Sequence, residues 1–212
     1  MKKFTKLNLT FYHLFRNIIK QHFPSLQWIS SKVMEINFKA NHISSTYVKK
    51  YNTAVKKYKP ALVNFVEINP RERADIKALK KIANNWSGAC FANTIYKNAK
   101  KNPMLKTFAL TSQEYNFEDL DHSRILGIVQ LSKETPYQYC IEHLETKPEY
   151  QEKNISREYK WIGRRILHSL KKNFYDKSIK VNYLFSKEPF YMDNGFEFNG
   201  EIFGDLIWKA RR

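Results

Sequence analysis

Apolar positions recur along this chain with two periods, and the switches between them mark its elements. Phe11, Leu14, Phe15, Ile18 and Ile19 recur at helical spacing, which predicts an amphipathic helix over residues 8–23. Packing of that stripe on a main domain is the simpler reading, and contact of its basic face with membrane or RNA is the other. The remainder up to residue 58 has no clear period. From Lys59 the pattern sharpens. Residues 61–68 (ALVNFVEI) predict a strand that Asn69-Pro70 ends. Residues 71–86 predict a helix with Ile76, Leu79, Ile82 and Ala83 on one face, and a second helix follows over 88–101. Strands are expected at 107–112, 124–133 and 137–146. A strongly amphipathic helix spans 159–174, buried on Ile162, Ile166, Leu167 and Leu170 and wet on Arg164, Arg165, Lys171 and Lys172. A strand at 180–185, a short helix at 188–194 stopped by Gly195, and closing strands within 196–208 complete the chain. Strands outnumber crossovers. The expected fold is therefore α/β of the mixed α+β kind: a central, mostly antiparallel twisted sheet flanked by helices, with an N-terminal helical extension. Residues 1–58 form that extension and 59–212 the main domain.

Charge changes this picture in one place. The 212 residues carry 37 Lys+Arg against 20 Asp+Glu, a net charge of +17. Residues 1–60 hold 12 of these cations and one acid, Glu35, so +11 of the +17 lies there. Such an excess suits an anionic partner such as RNA, an acidic membrane surface or a phosphorylated cofactor. Lys outnumbers Arg 28 to 9 amid many Ile, Asn, Tyr and Phe, a mix that AT-rich coding sequence also produces. Hydrophobic residues at 42% and aromatics at 15% exclude a disordered polyelectrolyte. Cys90 and Cys140 are the two cysteines, and no CxxC or His/Cys cluster suggests a metal site. A reducing, cytoplasmic setting follows. No apolar run is long enough to span a membrane, and no secretory signal is expected.

Candidate chemistry gathers in two stretches. The helix expected from 159 begins Tyr-Lys-Trp-Ile-Gly-Arg-Arg. A helix N-terminus presents unpaired N–H groups and the positive end of a dipole, so it suits phosphate. Lys160, Arg164 and Arg165 oppose that dipole, a conflict that a bound anion removes; a solvated basic turn is the plain alternative. In the second stretch Tyr191 sits in a short helix before Gly195 and Phe196. It is either a core aromatic or a proton donor facing a cleft.

Together these stretches resemble the GNAT superfamily of acyl-CoA-dependent N-acetyltransferases. Leu144-Glu145-Thr146-Lys147-Pro148-Glu149-Tyr150 is similar to the family's strand-ending L-x-V-x-P-E-Y, and Phe190-Tyr191-Met192-Asp193-Asn194-Gly195-Phe196 matches F-Y-x-x-x-G-F without a gap. The element order over 59–209 is also similar. Departures lie between the two motifs. Gln151 to Arg157 are extra, and the family's R-G-x-G-x-G/A loop maps onto Glu158-Tyr159-Lys160-Trp161-Ile162-Gly163. Of its glycines only Gly163 remains, with Trp161 at the central position.

The resemblance implies acetyl transfer from acetyl-CoA to an amine by direct attack in a ternary complex, with no metal. Backbone groups at Leu144 and Thr146 would hold the pantetheine. Tyr159, Lys160, Trp161, Ile162, Gly163, Arg164 and Arg165 would surround the pyrophosphate. Tyr191 would protonate the leaving thiolate. A carboxylate on the strand would take the amine's proton. Strand alternation puts Glu142 and Glu145 on opposite faces, so one is aimed better: Glu142 first, with His143 and Glu145 behind it. The acceptor amine sits on a small molecule, a protein or an RNA. The competing reading is a catalytically inert GNAT-like module that binds RNA or another anion through its basic extension.

Overall fold

The structure is a computed structural model of the chain. The chain divides into two units, Met1–Ala40 and Asn41–Arg212. The structure describes residues 41–86, 91–102, 104–151, 157–181, 188–200 and 205–210. The helix expected over 8–23 lies outside them, as do positions 182–185 of the strand expected at 180–185.

Among the described residues, nine strands form one sheet in the order β6-β1-β2-β3-β4-β5-β7-β9-β8. β1 (His42–Asn52) and β2 (Lys57–Ile68) form a long antiparallel ribbon. Helices α1 (Arg73–Asn85) and α2 (Ala92–Lys101) follow, then β3 (Lys106–Thr111), β4 (Ile125–Thr135) and β5 (Gln138–Thr146). The two-residue β6 (Tyr159–Lys160) leads into α3 (Ile162–Asn173), β7 (Ser178–Val181) and α4 (Glu188–Met192). β8 (Glu197–Phe198) and β9 (Leu206–Trp208) close the sheet. β5 and β7 form its one parallel pair among the described residues.

Each face of the sheet has its own core. Val63, Phe65, Phe108, Leu110 and Val129 pack beneath Ile166 of α3. Val66, Ala109 and Ile128 face the other way, onto Leu79 and Ile82 of α1 and Ile95 of α2. The alternation along β2, β3 and β4 thus feeds two layers. Each fully buried large aliphatic side chain there stabilises the fold by about 1.5–3 kcal/mol. Buried Gln130 fastens α2 by donating from Nε2 to the Ile95 carbonyl at 3.2 Å and to Thr107 Oγ1 at 3.3 Å. Gln113 pins the acidic 114–121 loop through the carbonyls of Tyr115, Asn116 and Asp119, and Phe117 and Leu120 of that loop are buried.

Two expectations change. The sheet begins at His42 rather than near Lys59, so residues 42–58 are part of it. Along β1 the fully buried side chains are Thr46 and Val48, too few to register as an apolar period. The helix expected from 159 begins at Ile162 instead. Trp161, its N-cap, has φ +70, a left-handed conformation that separates the helix from the preceding strand. Tyr159 and Lys160 pair with Lys50 and Lys49 of β1.

Candidate functional site

The site is built on β5. Residues 138–141 of β5 pair in parallel with 178–181 of β7, and on their other edge β5 pairs with β4. At Glu142 the register with β4 slips: Leu131 opposes Ile141, yet Gln130 opposes His143. Glu142 is therefore the extra residue of a β-bulge, which bends a strand and increases its twist. β5 continues to Thr146 against β4, while pairing with β7 ends at Ile141 and Val181 among the described residues.

The bulge also corrects the face assignment of the two carboxylates. Glu142 accepts a hydrogen bond from Ser132 Oγ. Ser132 lies two residues from Gln130 on β4, the residue that reaches α2. Glu145 accepts from the Phe91 N–H at 3.1 Å, just before α2 begins, and from Gln151 Nε2 at 2.9 Å. Both glutamates therefore face the α1/α2 layer; one inserted residue cancels the alternation that would have separated them. Their surroundings differ. Glu145 is buried with both oxygens engaged, whereas Glu142 is exposed. Between them His143 is half-buried and stacks on Phe91, ring centroids 4.9 Å apart. Burial holds its imidazole below the usual histidine range, with the nearby Glu142 carboxylate opposing that shift.

Tyr191 approaches from the opposite face. It lies in the α3-side core and meets Phe190 and Phe196 edge-on at centroid distances of 5.1 and 5.5 Å. Burial, and then the neighbouring Cys140, push its hydroxyl up to about 12. Gly195 takes φ +76 after α4 and lets the chain turn back so that the Phe196 N–H reaches the Tyr191 carbonyl at 3.1 Å.

The start of α3 completes the arrangement. A Cβ on Gly127 of β4 would lie 2.8 Å from Ile166 and 2.9 Å from Ile162, so this glycine lets α3 cross close to the sheet. A Cβ on Gly163 would meet Phe190 at 3.1 Å and Leu144 at 3.8 Å. Leu144, Gly163 and the Phe190-Tyr191 pair, which lie far apart in sequence, thus come together. The first N–H groups of α3, at Ile162, Gly163 and Arg164, have no acceptor within the helix. Arg164 is exposed, and Arg165 has a buried Nε with no hydrogen-bond partner. The Trp161 ring is 41% exposed and lies outside the helix start, with Lys49 Nζ 3.9 Å and the Arg165 guanidinium 5.8 Å from its centroid. Its backbone keeps the left-handed turn that a glycine adopts freely, at a cost of about 1–2 kcal/mol for a side-chain-bearing residue. Tyr159 is buried against Tyr150, ring centroids 5.3 Å apart, and Lys160 Nζ lies 4.1 Å over the Tyr58 ring. The Thr146 carbonyl accepts from Gln151 Nε2 at 3.4 Å. Sequence reasoning missed Ser132, Phe91 and Lys49, which no motif marks. It also missed Gly127, although a glycine inside a strand does signal close approach.

No protein-family model and no curated protein matches the chain. Solved structures do. A protein of Lactobacillus plantarum assigned to the N-acetyltransferases superposes with a TM-score of 0.51 at 9% identity, over 70% of this chain and 99% of that one. The chain has the GNAT fold. The N-acetyltransferase PseH of Campylobacter jejuni, in complex with acetyl coenzyme A, aligns at 13% identity and TM-score 0.44 over 70% of this chain and 99% of that one. In this GNAT fold the crossover β5–α3–β7 is the parallel connection, and the carboxyl ends of parallel strands are where open sheets bind ligands. Among the described residues no helix is long and apolar enough to cross a membrane, and no group of His, Cys, Asp or Glu is placed to hold a metal ion.

Proposed function

We propose that the protein is an acetyl-CoA-dependent N-acetyltransferase that works by direct transfer to an amine. The observation that carries this reading is the Glu142 bulge on β5, one of the two parallel strands joined through α3, together with the N–H groups at the start of α3. The residues present suit the donor. Arg165 offers a buried Nε without a partner, Gly163 leaves room for close approach, and Trp161 turns its ring outward instead of filling the turn. Bound acetyl-CoA supplies an acetyl group activated as a thioester.

The chain's own groups do the rest. The N–H groups of Ile162, Gly163 and Arg164 bind phosphate oxygens, with Arg164 and Arg165 adding charge. Tyr159, Lys160 and Trp161 shape the turn that sets α3 at this position. Backbone groups of Leu144 and Thr146, on the β5 edge away from β4, hold amides as an added strand would. Glu142, exposed beside the bulge, takes the proton of the attacking amine, with His143 next to it. Glu145 is committed to Phe91 and Gln151 and positions that wall. The C–N bond forms as the C–S bond breaks. Tyr191 delivers its hydroxyl proton to the departing sulfur from the other side of the gap. With its pKa raised to about 12, that hydroxyl remains protonated at neutral pH. N–H groups at the bulge face the carbonyl oxygen as it gains charge.

Calorimetric titration with acetyl-CoA tests the reading: one saturable site is expected, and desulfo or des-phospho analogues should separate sulfur from phosphate contacts. Absence of binding at high micromolar acetyl-CoA would refute it.

A further inference from the structure

The β1–β2 ribbon carries a second surface that the transfer reaction leaves unused. From Ile36 to Val66 the chain contains no Asp or Glu, and the ribbon holds Lys49, Lys50, Lys56, Lys57 and Lys59. Its cross-strand pairs sort the side chains by face. Tyr47 opposes Leu62, Lys49 opposes Pro60, and Tyr51 opposes Tyr58, all on the face that carries α1 and α2 further along the sheet. Lys50 opposes Lys59 and Asn52 opposes Lys57 on the other face.

The first face is an exposed aromatic platform: Tyr47 is 57%, Leu62 51% and Tyr51 37% exposed. Tyr51 and Tyr58 meet edge-on at 5.2 Å. β6 extends the platform by one strand, setting Lys160 over Tyr58 and the partly exposed Trp161 against Lys49. Tyr47 and Tyr51, four residues apart on β1, lie about 13 Å from one another. Exposed rings set apart along a strand and flanked by lysines, with Glu158 as the one neighbouring carboxylate among the described residues and engaged by Lys50 at 3.3 Å, suit flat bases joined by phosphates.

We infer that this ribbon binds single-stranded nucleic acid. Bases stack on Tyr47 and Tyr51, while Lys49 on the same face, and Lys57 and Lys59 reaching round the edge, neutralise phosphates. A membrane fits less well. The ribbon's tip, Thr53-Ala54-Val55-Lys56, offers only the small Ala54 and Val55 as apolar groups for insertion. The inference is independent of the acetyltransferase reading, since Tyr47, Tyr51, Lys57 and Lys59 take no part in that chemistry.

Fluorescence anisotropy of the full-length protein with a labelled oligouridylate and its DNA counterpart tests it. Both single strands are expected to bind more tightly than a duplex of the same length. Tyr47→Ala should weaken binding by about fivefold or more. Tyr47→Phe should retain it. Lys57→Glu with Lys59→Glu should weaken binding and flatten the log–log salt slope by about one to two. Thermal melting checks that each variant is folded. A preference for RNA over DNA would support the inference and add recognition of the 2′-hydroxyl. The inference is overturned if Tyr47→Ala binds like the parent, which would leave a generic polycation. It is likewise overturned if duplex binds as well as single strand, or if vesicles rich in phosphatidylserine or an acidic peptide compete more effectively than unlabelled oligonucleotide.

Discussion

The two halves of β5 are chemically unlike although they form one strand. Residues 138–141 are hydrogen-bonded on both edges, to β4 and to β7, and Tyr139, Cys140 and Ile141 are buried. Residues 142–146 pair with β4 past the bulge, and they carry Glu142, His143 and Glu145 toward one layer and Leu144 toward the start of α3. A single inserted residue separates the halves. The first half is a buried wall, and the second, bent at the bulge, brings three polar side chains to one face.

The largest test of this contrast acts at the hinge between the halves. Tyr191→Phe removes the proposed proton donor and keeps the ring that packs against Phe190 and Phe196. The expected result is a fall in kcat of about 100-fold or more with acetyl-CoA affinity retained. Equal turnover would remove Tyr191 from the chemistry and leave it as a core aromatic.

A paired substitution sharpens the comparison next. Glu142→Gln should lower kcat by roughly tenfold or more and leave the melting temperature unchanged. Glu145→Gln, at the buried position, should do the reverse: lower stability by about 1–3 kcal/mol through impaired hydrogen bonding to Phe91 and Gln151, with a smaller effect on kcat. If kcat is unchanged in Glu142→Gln, His143 is the acceptor; burial holds its pKa below the usual histidine range, so the rate should then rise with pH through a midpoint below that range.

Gly127→Ala addresses what holds α3 against the second half of β5. The new methyl group would contact Ile166 and Ile162 at under 3 Å and push α3 from the sheet. Destabilisation of about 1–3 kcal/mol is expected from the melting curve. The smallest effect belongs to Trp161→Gly. Relief of the left-handed strain and loss of the ring contacts to Lys49 and Arg165 should offset each other to within about 1 kcal/mol. Acetyl-CoA affinity should change by only a fewfold; its abolition would show that the ring itself holds the donor.

Much of this was legible in residue order. Helices 73–85, 92–101 and 162–173 follow from periods of buried aliphatics, and Asn69-Pro70 and Gly195 stop elements where local backbone preference requires it. The Phe190 to Phe196 motif was readable because its residues have local duties: a ring on Gly163, a turn at Gly195, a ring in the core. β1 was not readable. Only Thr46 and Val48 of its side chains are fully buried, and its place depends on pairing with β2 rather than on its own period. The bulge was not readable either, because Glu142 is an ordinary polar strand residue until β4 sets the register around it.

By itself the sequence determined the two-layered mixed fold, the helix over Gly163 and Arg164, and the tyrosine in the short helix after β7. These rest on hydrophobic period and local backbone preference, which a chain carries wherever it folds. Tertiary structure alone decided that Glu142 and Glu145 share a face, that Trp161 holds a glycine-like turn, and that Leu144, Gly163 and Phe190 meet. Each depends on how distant strands register and how closely a helix crosses them. Those are properties of pairs of segments, and no single segment encodes them.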